Sequence, residues 1–193
     1  MPSSGRRLTL SPIGFDIVLA LSQAPVGLRL ADLAHIIGSP VSSVQTALRI
    51  LISNKLVERV SSDPPHYALA KDHPARDELA SLATVLPDAA HAIGVILRAN
   101  PSVRYAAVDS YGFLVAERPG DRGAGEALDH HLGLVAGARP EAPSLVRMSE
   151  DEFGRIARVA LGLRARARAA LTIKGRLPAG LRADESGEPA SAS

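Results

Sequence analysis

Residues 30–59 read LADLAHIIGSPVSSVQTALRILISNKLVER. Leu30, Leu33, Ala34 and Ile37 recur at helical spacing and predict a helix over 30–37. Gly38 ends it, because glycine takes the left-handed conformation without a Cβ clash. Ser39-Pro40 then starts a second helix, since proline is preset for a first helical turn, and that helix continues to about Asn54. Two short helices joined so tightly have the spacing of a helix-turn-helix. The second helix has two faces. Val44, Leu48, Leu51 and Ile52 fall at i, i+4, i+7 and i+8 and predict a buried stripe. Ser42, Gln45, Thr46 and Arg49 occupy the opposite side. Compact hydroxyl and amide groups with one guanidinium suit base edges in a major groove or phosphate oxygens. An ordinary solvated face is richer in Glu and Lys, and neither occurs here before Lys55.

Working outward, Ser11-Pro12 predicts an upstream helix start, with Ile13, Ile17, Val18 and Leu21 at helical spacing and an end by Pro25-Val26-Gly27. Downstream, Leu56–Val60, the turn cluster Ser61-Ser62-Asp63-Pro64-Pro65 and His66–Leu69 predict a hairpin. Helix, helix, turn, helix and hairpin over residues 1–70 resembles the winged helix-turn-helix domain of bacterial transcriptional regulators of the MarR, ArsR and IclR types. The resemblance implies that the helix from Pro40 is the recognition helix and that Ser61–His66 is the tip of the wing. It implies double-stranded DNA as partner. The residues expected to contact it are Ser39, Ser42, Ser43, Gln45, Thr46, Arg49, Lys55 and Arg59, with Ser62 and His66 on the wing.

Residues 71–100 predict a helical connector: Ala75–Leu86 with Leu79, Leu82, Ala83 and Leu86 on one face, then Asp88–Ala99 with Ala89, Ile93, Ile96 and Leu97. Such apolar faces offer either a dimer contact or intramolecular packing. Residues 101–178 predict a small α+β domain. It comprises strands at 103–108 and 113–117, a helix over 124–136 with Ala124, Leu128, Leu132 and Val135 on its apolar face, and a strand at 144–148. Helices to about Lys174 follow, interrupted near Gly162 and opened by a Ser149–Glu152 capping box. Residues 179–193, small and rich in Gly, Pro and Ser, read as a disordered tail. The fold class is thus α+β: an N-terminal winged helix-turn-helix, a helical connector and a small C-terminal α+β domain.

Composition narrows the chemistry. With no Cys among 193 residues, disulfides, thiolate metal sites and a cysteine nucleophile are excluded. No apolar run approaches the 18 or so residues of a membrane span, which predicts a cytoplasmic protein with no membrane partner. Asp129-His130-His131 matches the tripeptide of the DHH phosphoesterases, but the upstream Asp clusters that complete their two-metal site are missing. Adjacent histidines on a helix also point about 100° apart, and the expectation is His131 towards the core and His130 towards water. The strand and helix order resembles nucleotidyltransferase-like domains, yet no Asp-x-Asp occurs and no catalytic residue carries over. The Gly120–Gly125 loop lacks the Lys-Ser/Thr of a phosphate-binding loop, and no G-x-S-x-G elbow is present. Neither catalytic residues, nor a metal site, nor a cofactor is expected.

The formal charge of +2 hides its distribution. Residues 71–150 carry a net −3, residues 151–182 a net +6, and residues 1–70 only +2. The strongest positive block, with Arg155, Arg158, Arg164, Arg166, Arg168, Lys174 and Arg176, therefore lies far in sequence from the predicted recognition helix. The expected function is a sequence-specific, non-enzymatic, homodimeric regulator whose C-terminal domain dimerises or receives a small-molecule or protein effector. The alternative is a protein-interaction module, antitoxin-like or an assembly partner, on a winged-helix scaffold.

Overall fold

The computed structural model describes residues 10–60, 63–118 and 122–177. Helix α1 (Pro12–Ser22) begins where the Ser11 hydroxyl accepts the Gly14 backbone N–H at 3.1 Å, with Pro12 in the first turn. Ile17, Val18, Leu19 and Ala20 have no exposed surface, so the second half of α1 is buried on all sides rather than striped. Strand β1 (Leu28–Arg29) leads into helix α2 (Leu30–Ile37). Gly38 closes α2 in the left-handed conformation, φ 72°, donating its N–H to the Ala34 and His35 carbonyls. Helix α3 (Val41–Ser53) follows at once. Lys55, at φ 59°, turns the chain into β2 (Val57–Val60), which pairs antiparallel with β3 (His66–Leu69).

The expected hairpin is a three-stranded sheet in the order β1-β3-β2, with Leu28 opposite Tyr67. A two-residue strand carries no alternation, which is why β1 has no signature in the sequence. Within α3 the buried set is Val44, Ala47, Leu48 and Leu51. Ile52, expected in that stripe, is 37% exposed. An i, i+3, i+4, i+7 pattern already fills the buried face, and i+8 rotates beyond it.

Helices α4 (Arg76–Val85) and α5 (Ala89–Ala99) follow, the latter capped by Asp88, whose carboxylate accepts the Ala90 and His91 N–H groups. Their expected apolar faces fare differently. On α5, Ile93, Val95, Ile96 and Leu97 are buried within the unit and present no free dimer face. On α4 the buried residues are Ala80, Ala83 and Thr84, while Leu82 and Leu86 are exposed.

The chain divides into two compact units, and the division differs from the expected contiguous domain over 101–178. The first unit takes the residues up to Pro101 and also Arg122–Ala142; the second takes the rest. Helix α6 (Arg122–Ala138) packs against α4 and α5 through Ala124, Leu128, Leu132 and Val135. A buried polar network fixes it there. Asn100 Nδ2 donates to Gln23 Oε1 at 3.1 Å and to the Ala124 carbonyl at 2.8 Å. The Ser22 hydroxyl meets His131 Nε2 at 3.2 Å, and His131 Nδ1 meets the Ala127 carbonyl at 2.8 Å. His131 is therefore a core residue; burial holds its imidazole below the usual histidine range, while His130 is exposed, as expected.

The second unit is a four-stranded sheet in the order β6-β5-β4-β7. Strands β4 (Val103–Asp109) and β5 (Gly112–Glu117) pair antiparallel, β5 pairs parallel with β6 (Leu145–Ser149), and β7 (Leu171–Lys174) pairs antiparallel with β4. A parallel pair needs a long crossover, and α6 lies within that connection. Leu171–Lys174, expected as helix, forms the edge strand; extended backbone at Ala170 ends α8 (Leu161–Ala169). The capping box of α7 (Glu150–Val159) forms as expected, with Ser149 and Glu152 bonding reciprocally. Tyr105, Ala107, Leu114 and Ala116 pack with Phe153, Ala157 and Ala167 of α7 and α8. Asp109 pairs with Arg166, which also lies 5.3 Å from the Tyr111 ring centroid.

Candidate nucleic-acid interface

The buried side of α3 dictates what its outer side presents. With Val44, Ala47, Leu48 and Leu51 packed inwards, Ser42, Gln45, Thr46 and Arg49 are all exposed. At 3.6 residues per turn, Gln45, Arg49 and Ser42 lie within roughly 60° of one another on the helix. Their reach differs with chemistry. Gln45 offers both a donor and an acceptor; Arg49 offers a five-donor fork that matches a guanine edge or a phosphate. Thr46 spends its hydroxyl proton on the Ser42 carbonyl at 2.9 Å, which leaves its methyl and oxygen lone pairs to face outwards. Among the described residues no acidic side chain pairs with Arg49, Lys55 or Arg59, and all three are exposed.

The remaining expected contacts scatter. Ser39 and Ser43 are half-buried beside the turn, and the Ser39 N–H is spent on the Ala34 carbonyl at 3.1 Å. His66 is half-buried in β3, between Arg29 and Val60 in the sheet register. Ser62, together with Ser61, lies outside the described residues, as do Arg6 and Arg7. The structure thus gathers Ser42, Gln45, Thr46 and Arg49 on one surface, sets Lys55 and Arg59 just beyond α3, and leaves Ser39, Ser43 and His66 largely enclosed. No side chain caps the first turn of α3, whose amides are therefore of the kind that accept an anion.

Two residues of α3, Val41 and Ile50, have no place in the sequence-based expectation, and Ile52 belongs with them rather than in the buried stripe. Val41, Ile50 and Ile52 are exposed, Val41 at 49% in the first turn. An apolar side chain there suits a thymine methyl group. Apolar letters in a helix are read as core, so only the count of residues needed to fill the buried face reveals the surplus.

The Arg-rich segment is in the second unit. Arg166 is tied to Asp109, which raises its already high pKa and holds the Asp109 carboxyl below the usual aspartate range. Arg147 forms a two-bond pair with Glu117, at 2.5 and 3.0 Å, across the parallel strands. Arg166 of that segment, and Arg147 just before it, are thus consumed by the fold. Among the described residues, no three His, Cys, Asp or Glu side chains gather as a metal set. Nor is any single helix among them long and apolar enough to cross a membrane.

Comparison with known proteins agrees with this geometry in one region. Residues 13–61 match the IclR helix-turn-helix domain, a span that runs from the second residue of α1 to the wing and includes α2 and α3 whole. No curated protein and no solved structure matches the chain. Taken with the exposed polar face of α3, the match means that the chain carries an IclR-type helix-turn-helix, the DNA-binding domain of a transcriptional regulator, over residues 13–61.

Proposed function

We propose that the chain is a homodimeric, sequence-specific, non-enzymatic regulator that reads the major groove with α3. The observation that carries this reading is the two-sidedness of α3: a fully used apolar face inside, and Ser42, Gln45, Thr46 and Arg49 together outside. Gln45 and Arg49 contact base edges; Lys55 and Arg59 contact flanking phosphates. One chain exposes a modest set of cations over the described part of this domain, namely Arg29, Arg49, Lys55 and Arg59. A two-fold dimer doubles that set and places two recognition helices about one duplex turn apart. Support for self-association comes from the second unit, where Val159 and Leu161, 80% and 76% exposed, flank the break between α7 and α8.

The test is selection of bound fragments from the protein's own genome, followed by affinity measurements against salt on the selected site. A palindromic site and a log–log salt slope of about −5 are expected if Arg29, Lys55 and Arg59 of both chains engage phosphates while Arg49 reads bases. Equal affinity for selected and random duplexes overturns the reading. A single stoichiometric protein partner with no salt-dependent DNA binding supports the interaction-module alternative instead.

A further inference from the structure

Away from α3, the first unit holds a groove of about 470 Å³, walled by Leu10, Pro12, Phe15, Leu86 and Pro87, with Asp16 and His91 as its polar groups. The volume falls within the roughly 300–1,000 Å³ of small-molecule sites, and an apolar wall with few fixed polar groups is their usual make-up. Asp16 is the informative member. Its side chain is only 11% exposed, and it precedes the fully buried run from Ile17 in α1. A buried carboxylate on an apolar wall is costly unless it is matched. His91 Nε2 supplies one hydrogen bond, at 2.9 Å, and a carboxylate accepts about four. His91 is itself anchored, its backbone N–H held by Asp88 at 3.2 Å. Arg98, whose guanidinium feels the Asp16 charge, commits its Nε to the Ile36 carbonyl at 2.6 Å.

We propose that this groove is a binding site for a small molecule with an aromatic or aliphatic body and an amine head, the ammonium donating to Asp16. The carboxylate repels an acidic head of the same size. A wholly apolar ligand fills the walls and leaves Asp16 further desolvated with no new partner. Occupancy has a physical route to DNA reading, and this part rests on the function proposed above. Helix α1 packs directly on α2 and α3, and Arg98 of α5 holds the last turn of α2 beside the helix-turn-helix corner.

The experiment titrates the isotope-labelled full-length chain with phenethylamine and with phenylpropionate, following backbone amide shifts. The expected result is saturable shifts centred on Phe15 and His91 for the amine, with the acid at least roughly tenfold weaker. Asp16→Asn erases that preference. Leu86→Trp, at a position 55% exposed and so tolerant of bulk, fills the groove and abolishes the shifts. Equal affinity for amine and acid, or shifts that survive Leu86→Trp, overturns the site. So does a variant lacking residues 1–9 that binds where the full chain does not, because the chain's own first residues are then the occupant. For the linkage, saturating phenethylamine changes operator affinity, and operator DNA changes amine affinity by the same factor. An operator bound equally with and without the amine overturns the linkage. Failure to find any operator instead overturns the proposed function and leaves the amine titration standing.

Discussion

Leu48 and Arg49 are neighbours in sequence with opposite tasks, and substituting each separates folding from recognition. Leu48 is 2% exposed, in the stripe that seats α3. Leu48→Ala removes about three buried carbons and leaves a cavity, for which comparable core leucines lose about 3–5 kcal/mol. In a chain of this length each kcal/mol moves the melting temperature by about 2–4 °C, so a drop of roughly 6–20 °C is expected. Arg49 is exposed and makes no ion pair among the described residues. Arg49→Ala should therefore change stability by less than about 0.5 kcal/mol. On the operator, losing a bidentate base contact costs about 1–3 kcal/mol per recognition helix, or about 5- to 150-fold in Kd. With two helices engaged the loss compounds to at least about 25-fold. Differential scanning fluorimetry gives the first quantity and fluorescence anisotropy on the selected operator the second. A phosphate contact instead of a base contact would weaken all duplexes alike and reduce the salt slope by about one per helix. The reasoning is refuted if Arg49→Ala binds within about twofold of the wild type, or if it melts as early as Leu48→Ala.

Three further outcomes follow from the same geometry. Gly38→Ala and Gly175→Ala start from nearly the same backbone, φ 72° and 71°, but a Cβ at Gly38 meets nothing within 4 Å, whereas at Gly175 it falls well inside contact with the Arg104 carbonyl oxygen. Thermal melts should show the conformational cost of about 1–2 kcal/mol at Gly38 and a clearly larger loss at Gly175; equal losses refute the steric account. Lys174 is pulled down to about 8 by burial and by Arg104, so the unfolded chain binds the extra proton between about pH 8 and the ordinary lysine value near 10.4, and stability contributed by this residue rises with pH across that window. Chemical denaturation at stepped pH should show the rise in the wild type and a flatter profile in Lys174→Met; identical profiles count against it. A chain ended at residue 101 loses α6 and with it Ala124, Leu128, Leu132 and Val135, so it should lack a cooperative melt that the full chain shows, and a sharp native-like transition in the truncated chain contradicts that assignment.

Local signals were legible in the sequence wherever one residue type answers one backbone demand. Ser11-Pro12 at the start of α1, Gly38 at the end of α2 and the Ser149–Glu152 box at the start of α7 each satisfy orphan backbone groups within four residues, so the partners sit side by side in the sequence. The outer face of α3 was legible for a related reason: once three or four apolar residues fill the inner stripe, helical geometry leaves Ser42, Gln45, Thr46 and Arg49 no other place. What failed to show were demands met by distant residues. Leu171–Lys174 has the arginine-rich helix just before it, and only its pairing with β4 makes it a strand. Leu82 and Leu86 share the helical period with Ala83, yet of the three only Ala83 is buried, and Ala80 and Thr84 take the inner positions beside it.

Helix α6 is the sharpest instance, because its face and its limits were nearly right while its membership was not. Ala124, Leu128, Leu132 and Val135 specify that one side must be buried, but an apolar stripe does not encode which neighbour buries it. The choice is made by polar groups far apart in sequence. Asn100 and Gln23 are both fully buried, and the Asn100 amide joins them to α6 by donating to Gln23 Oε1 and to the Ala124 carbonyl. His131 similarly needs Ser22, 109 residues away. An unmet buried polar group costs about 1–3 kcal/mol, whereas an apolar stripe is nearly as well served by any apolar surface of matching shape. The hydrophobic pattern therefore says that α6 is buried, and the polar network decides that it is buried against the DNA-binding unit. Among the described polar side chains, Ser22, Gln23, Asn100 and His131 are consequently where substitution should loosen α6 from the first unit rather than alter its surface, and of the four only His131 stands out in a single sequence.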